Sequence, residues 1–389
     1  MIPYGKQTID ENDIRSVIDV LESDFITQGP KNKEFEDCIK GFTSSKHAIT
    51  FNSATSALHS ACVALGLKKG DFLWTSPNSF VASANCGVYC GANIDFVDID
   101  SLTLNISIEE LKIKLEKADR ENKLPKVLIP VHFAGQSCDM QKIKILSQKY
   151  GFKVIEDASH AIGGKYYDEL IGGCRYSDIT IFSFHPVKII TTGEGGVATT
   201  NSNKFAQSMR LMNSHGITRN TEDFEANDLN VGDWYYEQIS IGYNYRMTDI
   251  QAALGISQMN KLEKYVLKRN SLALRYDKAL KGLPLILPNI SKFAYSSRHL
   301  YPVQINAEQT NHSRKEVFKK LRLEGIGVNV HYIPIHLQPY FKRMGFKRGD
   351  FPNAEKYYSQ AISLPLFQSL TNPEQDYIIK TLSKIFSNE

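Results

Sequence analysis

The stretch DITIFSFHPVKIITTGEGGVATT, residues 178–200, joins two apolar runs through a turn that contains one lysine and three glycines. Runs of β-branched and aromatic residues such as DITIFSF and GGVATT are typical of buried strands. Gly193, Gly195 and Gly196 allow a sharp turn and the close approach of another group. Lys188 in this turn is a surface charge, a phosphate ligand or a nucleophile, and the stretch alone leaves these interpretations open.

Strand-like and helical stretches alternate on both sides of this segment, from residue 10 to residue 250. HAITFNSA precedes the helical pattern TSALHSACVALGL, and KVLIPVHFAG precedes MQKIKILSQKYG and then FKVIEDASHA. This alternation predicts an α/β fold, a mostly parallel sheet with helices on both faces. Ligands of such sheets bind beyond the carboxyl ends of the strands, so we expect the functional residues where strands end.

The pattern changes near residue 250. Residues 249–283 read as one long helical stretch, followed by the strand-like HLYPVQI and GVNVHYIPI and the helical SRKEVFKKLRLEG and PEQDYIIKTLSKIF. We therefore predict a large domain at 1–250 and a smaller α+β domain at 251–389, joined through a long helix.

The composition excludes several classes of function. With 42% apolar residues, 23% charged residues and a net charge of +4 over 389 residues, the chain resembles a globular protein and has no block of like charge that would favour nucleic acid. Its six cysteines are dispersed without zinc-site spacing, so we expect reduced thiols in a cytoplasmic protein and no metal site. The sequence opens without a signal-peptide pattern and contains no apolar run long enough for a membrane span.

Three predicted strand ends carry groups that suit one cofactor. Residues 53–55 lie between a strand and a helix, where they cap the helix or bind a phosphate through free amide groups. Asp157 ends a second strand and forms a cap, an ion pair or a ligand contact. Lys188 follows a third strand. The sheet geometry would bring this phosphate cup, carboxylate and amine to one edge.

Pyridoxal phosphate requires this combination of groups. Its aldehyde binds an amine, its ring nitrogen stays protonated beside a carboxylate, and its phosphate needs hydrogen-bond donors. The protonated ring then accepts electrons from a carbanion. Phe80, in TSPNSFVASAN, is placed to stack on that ring, although a core aromatic is an equally good interpretation of this residue alone.

The order of these motifs is similar to that of the sugar aminotransferases of the DegT/DnrJ/EryC1/StrS family, fold-type I pyridoxal-phosphate enzymes that aminate nucleotide-linked keto-sugars. The resemblance covers almost the whole chain, through TQGP, NSATSAL, NSFVASAN, PVHFAGQ, IEDASHAIG, FSFHPVKIITTGEGG, SHG, GYNYRMTDIQAALG and VHYIPIH. It implies that Lys188, which would bind the coenzyme aldehyde, and Asp157, which would face the ring nitrogen, are catalytic. The implied cofactor-binding residues are Ser53, Ala54, Thr55, Phe80, Asp157, His160, Ser183, Lys188 and Asn244.

The resemblance also implies a homodimer with its active sites at the interface. Asn244 matches the asparagine that reaches the cofactor phosphate of the second subunit in this family. A two-fold axis builds two identical sites from one such interface. In the same motif, Thr248 is also a plain helix cap, and Arg246 would organise the interface or contact the substrate.

The motifs ITQGP, FNSATSAL, SFH and VHYIPIH are most similar to the branch that forms UDP-4-amino-4,6-dideoxy-N-acetyl-β-L-altrosamine for pseudaminic acid biosynthesis. This branch aminates C4 of a UDP-linked 4-keto-6-deoxy-N-acetyl hexose, with L-glutamate as donor and 2-oxoglutarate as coproduct. The implied substrate contacts are Tyr4, Asp24, Phe25, Ile26, Thr27, Ala54, Ser183, Asn244, His331, Tyr332, Ile333 and Pro334.

Several alternatives remain open at this point. HPVKIITTGEGG also resembles branches that aminate other UDP- or dTDP-linked sugars. Relatives that dehydrate sugars carry a histidine in place of the lysine, and Lys188 therefore favours transamination. A binding protein on the same scaffold would not need the full set of reactive residues. His331 and His336 suggest a metal site, but the strand-like context and the absence of acidic residues nearby in the sequence disfavour it.

Overall fold

The computed structural model describes residues 1–226 and 232–387. Three short 3₁₀ helices cover Phe133–Gly135, Thr221–Asp223 and Ile335–Leu337. The strands of the described residues are β1 (His47–Phe51), β2 (Phe72–Thr75), β3 (Asn93–Phe96), β4 (Val127–Ile129), β5 (Lys153–Asp157), β6 (Lys165–Tyr166), β7 (Glu169–Leu170), β8 (Ile179–Ser183), β9 (Gly196–Thr200), β10 (Ile217–Thr218), β11 (Glu237–Gln238), β12 (Leu285–Ile286), β13 (Ala294–Tyr295), β14 (Tyr301–Ile305) and β15 (Ala361–Leu364).

Helices alternate with the first strands and dominate the second half of the chain. The α-helices of the described residues are α1 (Glu11–Leu21), α2 (Pro30–Thr43), α3 (Ala54–Ala64), α4 (Ala82–Tyr89), α5 (Ile108–Arg120), α6 (Met140–Tyr150), α7 (Asn203–Asn213), α8 (Asp249–Met259), α9 (Leu262–Ala279), α10 (Arg314–Leu323), α11 (Pro339–Lys342), α12 (Pro352–Gln360) and α13 (Asn372–Ser387). None of them is long and apolar enough to cross a bilayer, within the ranges the structure describes.

A seven-stranded sheet forms the centre, in the order β1-β9-β8-β5-β4-β2-β3. The five strands from β8 to β3 are parallel, whereas β9 runs antiparallel to both β8 and β1. Neighbouring residues of β4 pack on opposite faces: Val127 and Ile129 contact α3 and α4, and Leu128 contacts α5 and α6. The prediction of a mostly parallel sheet with helices on both faces is therefore confirmed.

The carboxyl-terminal region has its own small sheet, β12-β14-β15, whose core includes side chains from α9, α10 and α13. The amino terminus also packs here, because Ile2 exchanges backbone hydrogen bonds with Gly325 and Gly327. The division of the chain at residue 250 stays a prediction.

Two predicted elements differ from the structure. The helical stretch from residue 249 is broken at Asn260 and Lys261 into α8 and α9, so the prediction of one long helix is wrong. GVNVHYIPI is not a strand; only Asn329 forms a bridge, with Ser363. Pro334 cannot donate a ladder hydrogen bond, and the segment before it lines a cavity instead of pairing along a strand.

A buried carboxylate fastens α1 to the end of α8. Asp13 is fully buried, and its oxygens accept hydrogen bonds from Ser257 Oγ at 2.6 Å, Gln258 Nε2 at 2.7 Å and Lys261 Nζ at 2.7 Å. Three donors surround the carboxylate, and one of them, Lys261, is positively charged. These contacts compensate the carboxylate for its loss of water.

We expect Asp13→Ala to lower the free energy of unfolding by about 3 kcal/mol, because it leaves Lys261 and two polar groups without their buried partner. Thermal unfolding followed by circular dichroism measures this loss. Asp19→Ala is the matched control on the same helix, since its ion pair with Arg15 is more than half exposed and contributes about 0.5 kcal/mol. Equal melting temperatures for the two variants would contradict the anchoring role.

Candidate active site

A cavity of about 560 Å³ opens at the carboxyl ends of β4, β5 and β8. The residues predicted from the sequence that line it are Tyr4, Ser53, Ala54, Thr55, Phe80, Asp157, His160, Ser183, Lys188, His331 and Tyr332. They come from six separate parts of the chain. The sheet thus brings the amine, the carboxylate and the predicted phosphate cup into one cavity, as expected.

The amino terminus of α3 forms one wall. Ser53 is the N-cap, and its Oγ accepts a hydrogen bond from Ser56 N at 3.1 Å. The amide groups of the following first turn have no intrahelical acceptors and the helix dipole favours an anion there. Gly196 lies so close that a Cβ atom would come within 2.5 Å of Ala54 N. Capping and anion binding are thus compatible at this turn.

Asp157 presents a buried carboxylate to the cavity. It is 4% exposed, and its oxygens accept hydrogen bonds from Ser83 Oγ at 2.7 Å and Ser159 N at 3.1 Å. Ser79 Oγ lies 2.7 Å from Ser83 Oγ and donates to it, because the Ser83 proton is directed at Asp157. Among the described residues, no Lys, Arg or His nitrogen lies within 4.0 Å of this carboxylate. A buried carboxylate of this kind calls for a cationic partner.

The neighbouring carboxylate points away from the cavity, as the alternation along β5 predicts. Glu156 Oε2 lies 2.8 Å from His132 Nε2, and Glu156 Oε1 accepts hydrogen bonds from Ser177 and Thr180. Burial alone would raise the pKa of Glu156, but these hydrogen bonds outweigh it and hold the pKa below its ordinary value. His132 Nδ1 accepts from Cys138 N, so its proton lies on Nε2 and is donated to Glu156.

Lys188 lies in the turn after β8, half-buried in the cavity. Its burial lowers the pKa of the amine from 10.5 to about 8, and the negative charge of Asp157 acts in the opposite direction. Among the described residues, no carboxylate pairs with Lys188 within 4.0 Å. Near neutral pH a useful fraction of this lysine is therefore a free amine, the form that attacks a carbonyl carbon.

Three imidazole rings surround the lysine, and all are buried. Burial is the main cause that lowers the pKa of His160, His299 and His331, in the last case to about 3, and the charge on Lys188 adds to the effect. These rings are therefore neutral. They supply shape and hydrogen bonds to the cavity without adding positive charge.

The orientation of His160 is fixed by two hydrogen bonds. Its Nδ1 accepts from Ala134 N at 3.3 Å, so Nε2 carries the proton and donates to the Tyr332 hydroxyl at 3.0 Å. The ring of His299 packs against it with centroids 4.3 Å apart. The 3₁₀ turn that contains Ala134 therefore holds one face of the cavity in place.

Some predicted residues do not line this cavity. Asn244 is exposed, and its backbone pairs with Ser214. The turn at residues 24–27 is also exposed and contacts the start of α8, where Asp249 N donates to Ile26 O. Ile333 and Pro334 lie beside the cavity-lining Tyr332 but are not part of its wall. For these residues the predicted ligand contacts stay predictions.

Sequence reasoning missed several residues of the cavity wall. The additional polar ones are Ser79, Ser83, Ser159, His185, Glu194, His299 and Asn329. The spacing of Ser79 and Ser83, one helical turn apart just after a strand end, was the available signal for the first pair. His299 precedes β14 without any pattern of its own, and only the tertiary fold brings it to His160.

His331 and His336 each have a hydrogen-bond partner in the structure. His331 Nδ1 bonds the Ser363 hydroxyl at 2.8 Å, and His336 Nε2 bonds Glu355 at 3.0 Å, an acidic partner that the local sequence did not show. The described ranges contain no group of three or more His, Cys, Asp or Glu side chains arranged to hold a metal.

The mostly parallel sheet with helices on both faces and the cavity at its edge belong to a fold-type I pyridoxal-phosphate-dependent transferase. The chain belongs to the DegT/DnrJ/EryC1/StrS aminotransferase family, which it matches over residues 7–383. It is a sugar aminotransferase of that family, whose members depend on pyridoxal phosphate.

Proteins similar to this chain are named for polysaccharide biosynthesis and for the transamination of a UDP-linked sugar. The spore coat polysaccharide biosynthesis protein SpsC of Bacillus subtilis is 38% identical over 99% of this chain and 97% of its own. A UDP-4-amino-4,6-dideoxy-N-acetyl-β-L-altrosamine transaminase of Campylobacter jejuni is 35% identical, also over 99% of this chain and 97% of its own. The solved structure of Helicobacter pylori PseC, an aminotransferase of pseudaminic acid biosynthesis, superposes with a TM-score of 0.90 at 32% identity, covering 100% of both chains.

We expect the Lys188 amine to titrate near pH 8 in protein freed of carbonyl ligands. Trace acetylation across about pH 6 to 10, quantified by peptide mass spectrometry, reports the midpoint. Lys281, which is exposed, is the internal control for the extent of labelling at each pH.

Asp157→Asn should move the Lys188 midpoint further down, because the substitution removes the negative charge that favours the protonated amine. An unchanged or higher midpoint in this variant would contradict the placement of the carboxylate beside the amine.

Proposed function

We propose that this chain transfers the amino group of L-glutamate to C4 of a UDP-linked 4-keto-6-deoxy-N-acetyl hexose, with pyridoxal phosphate as cofactor. The single observation that carries the proposal is the cavity shared by Lys188 and Asp157. Neither group has an ion-pair partner in the described chain, so both are free to act on a bound ligand. The altrosamine transaminase of Campylobacter jejuni and the PseC aminotransferase of Helicobacter pylori support the substrate class.

The residues present fit the cofactor. The cavity volume, the first turn of α3 with Ser183 in the same cavity, and Asp157 without an ion-pair partner match a small phosphorylated ring with a basic nitrogen. When bound, pyridoxal phosphate supplies an aldehyde and an electron-accepting ring. Lys188 would bind the aldehyde, Asp157 would keep the ring nitrogen protonated, and residues 53–55 with Ser183 would hold the phosphate.

The lowered pKa of Lys188 also suits its second role. Once displaced by the amino donor, Nζ would take the proton from the donor Cα and return it at the opposite end of the transfer. A base is most effective when its pKa is close to the working pH, and about 8 meets that condition. Neutral His160, held by Ala134 and Tyr332, would cover one side of the ring without competing for protons.

The sugar would bind at the far side of the same cavity. Tyr4 and His331 have ring centroids 5.4 Å apart and form this wall together with Tyr332. Neutral His331 and the two phenols offer hydrogen bonds that suit hydroxyl and N-acetyl groups. We therefore assign sugar recognition to this wall. We also expect the enzyme to be cytoplasmic, because sugar nucleotides are available in the cytoplasm.

The proposed enzyme is a homodimer with shared sites. Asn244 and the turn at residues 24–27 are exposed and lie away from the cavity of their own subunit. Phe25 and Ile26 in this turn are 55% and 51% exposed, which is unusual for adjacent large apolar side chains. We propose that this surface covers the cavity of the partner, with Asn244 reaching the cofactor phosphate and the turn reaching the nucleotide.

A second candidate keeps the reaction and changes the sugar. SpsC, at 38% identity, is slightly more similar in sequence than the altrosamine transaminase, at 35%, and it is named for spore coat polysaccharide biosynthesis. Another UDP- or dTDP-linked keto-sugar is therefore the main alternative substrate. Sugar dehydration is disfavoured, because the family members that dehydrate sugars carry a histidine at the position of Lys188.

We expect Lys188→Ala to lose the absorbance band of the lysine-bound cofactor and to lower the transamination rate at least about 10⁴-fold, because both the attachment and the proton transfer are removed. Borohydride reduction of the wild type followed by peptide mapping should place the cofactor on Lys188. Lys281→Ala is the control and should keep both properties. Cofactor fixed on another lysine would overturn the mechanism.

We expect Lys188→Ala and Asn244→Ala, each deficient alone, to regain activity when the two chains are coexpressed. A mixed dimer contains one site with both native residues if Asn244 acts across the interface, which predicts about a quarter of the wild-type activity. Lys188→Ala with Asp157→Ala is the matched control and should stay inactive, because these residues serve the same subunit. Absence of recovery in the first pair would contradict the shared site.

The substrate is tested by offering glutamate with a panel of UDP- and dTDP-linked 4-keto sugars and locating the new amine by NMR. The proposal requires that the UDP-linked 4-keto-6-deoxy-N-acetyl hexose gives the highest kcat/KM, with an amine at C4. Faster amination of a dTDP-linked sugar would favour the second candidate, and a dehydrated product without an amine would overturn transamination.

A further inference from the structure

Arg269 is a buried arginine of α9 that the proposed mechanism does not use. Its side chain is fully buried and forms no ion pair with a carboxylate in the described chain. Burial lowers its pKa to about 9, so the guanidinium remains charged at neutral pH. A buried charge without a counterion is costly unless hydrogen bonds compensate it. The groups that accept these hydrogen bonds therefore indicate which part of the molecule the guanidinium holds.

The guanidinium donates hydrogen bonds to two segments that are distant in the sequence. Nη1 donates to Leu366 O at 2.9 Å, and Nη2 donates to Gln368 Oε1 at 3.0 Å, just after β15. Nη1 also lies 3.3 Å from His299 O and 3.4 Å from Arg298 O, just before β14. The planar fork of an arginine can serve several acceptors at fixed angles. One side chain thus joins the two segments.

The segment before β14 supports the wall of the cavity that contains His160. Ser297 Oγ donates to His160 O at 2.9 Å, and His299 N donates to Ala134 O at 3.0 Å. Ala134 and Arg298 have φ angles of 56° and 52°, which are strained for residues with a side chain. Such backbone conformations persist only where the surrounding structure fixes them. The guanidinium contributes to this, because it binds the carbonyl groups of residues 298 and 299.

The segment after β15 supports the wall that contains Tyr4. Leu366 N donates to Tyr4 O at 3.1 Å, while Leu366 O accepts from the Arg269 guanidinium. One residue of backbone therefore connects the guanidinium to Tyr4, whose ring packs against His331 in the cavity. Displacement of Leu366 would move the backbone that carries the Tyr4 phenol.

Other side chains of α9 reach one segment each. Asn270 Nδ2 donates to Ser296 O at 2.9 Å, and the Tyr276 hydroxyl donates to Pro365 O at 3.0 Å. Neither of these side chains forms hydrogen bonds with both segments in the described chain. Arg269 is therefore the residue of this helix that couples the two walls.

We propose that Arg269 is a positioning residue of the active site, which holds the His160 wall and the Tyr4 wall at a fixed separation. It does not line the cavity, so it acts through the backbone of its partners. The inference rests on the proposed function, since it takes this cavity as the place where cofactor and sugar bind. Without the guanidinium, the carbonyl groups behind both walls lose their donor, and His160 and Tyr4 would occupy a wider range of positions.

Hydrogen exchange of the full-length holoenzyme, followed by mass spectrometry of its peptides, tests both connections. We expect Arg269→Met to speed exchange of the amides at residues 299 and 366 about tenfold, because the backbone around each loses a buried hydrogen bond. Exchange at residue 134, whose amide donates to His160, should rise with them. These readouts do not depend on transamination, so failure of this inference is distinguishable from failure of the proposed function.

Arg275→Met is the matched control on the same helix. Arg275 donates to Asn372 O at 3.2 Å and pairs with Asp376 of α13, and neither partner lines the cavity. This variant should speed exchange at the start of α13 and leave residues 134, 299 and 366 unchanged. Arg269→Lys keeps the charge without the planar fork and should show a smaller increase at the same three amides. It is the test variant if Arg269→Met does not fold.

Steady-state kinetics below the melting temperatures of the variants show whether the two walls matter for the reaction. With the best substrate of the panel above, Arg269→Met should lower kcat about 10- to 100-fold, because small misplacements of the groups around the reacting atoms slow catalysis. KM should change less, since the residues that contact the ligands are all retained. Arg275→Met should keep the wild-type kcat. A wild-type kcat in Arg269→Met, or faster exchange at one wall only, would overturn the inference.

Discussion

An uncompensated negative charge at the end of a central strand organises this molecule. The Asp157 carboxylate is buried, has two hydrogen-bond donors and faces an amine whose pKa is lowered by the same enclosure. Burying such a charge is costly unless a ligand completes its environment. Ser83 on α4, supported by Ser79 before this helix, and the backbone after β5 keep the carboxylate directed into the cavity.

The geometry of β5 explains why the adjacent carboxylates of Glu156 and Asp157 have different roles. Successive side chains of β5 point to opposite faces of the sheet. Glu156 therefore pairs with His132, which directly precedes the 3₁₀ turn after β4. The same 3₁₀ turn holds His160, because Ala134 N donates a hydrogen bond to the His160 ring. Glu156 thus supports the wall of the cavity, whereas Asp157 is directed at the ligand that binds inside it.

The sequence was most informative where chemistry follows local pattern. The strand ends at residues 53–55, Asp157 and Lys188 could be predicted to converge, because parallel strands finish at a common edge. His299 could not be predicted from the sequence, since its role comes from packing between distant segments. The prediction of a strand around Tyr332 was wrong. The apolar residues of this segment line the cavity, and their spacing resembles that of a strand. Asn244 could be recognised only through family resemblance, because a single chain does not show what an exposed asparagine meets.

The position of the first residues affects where a fusion tag can be attached. Ile2 is hydrogen-bonded between Gly325 and Gly327, and Tyr4, two residues later, already forms part of the cavity wall. An affinity tag fused immediately before Met1 would begin three residues before Tyr4 and could displace the backbone that carries this side chain. Purification handles and fluorescent fusions are better attached after α13, and a handle at the other end should be removed before binding constants are measured.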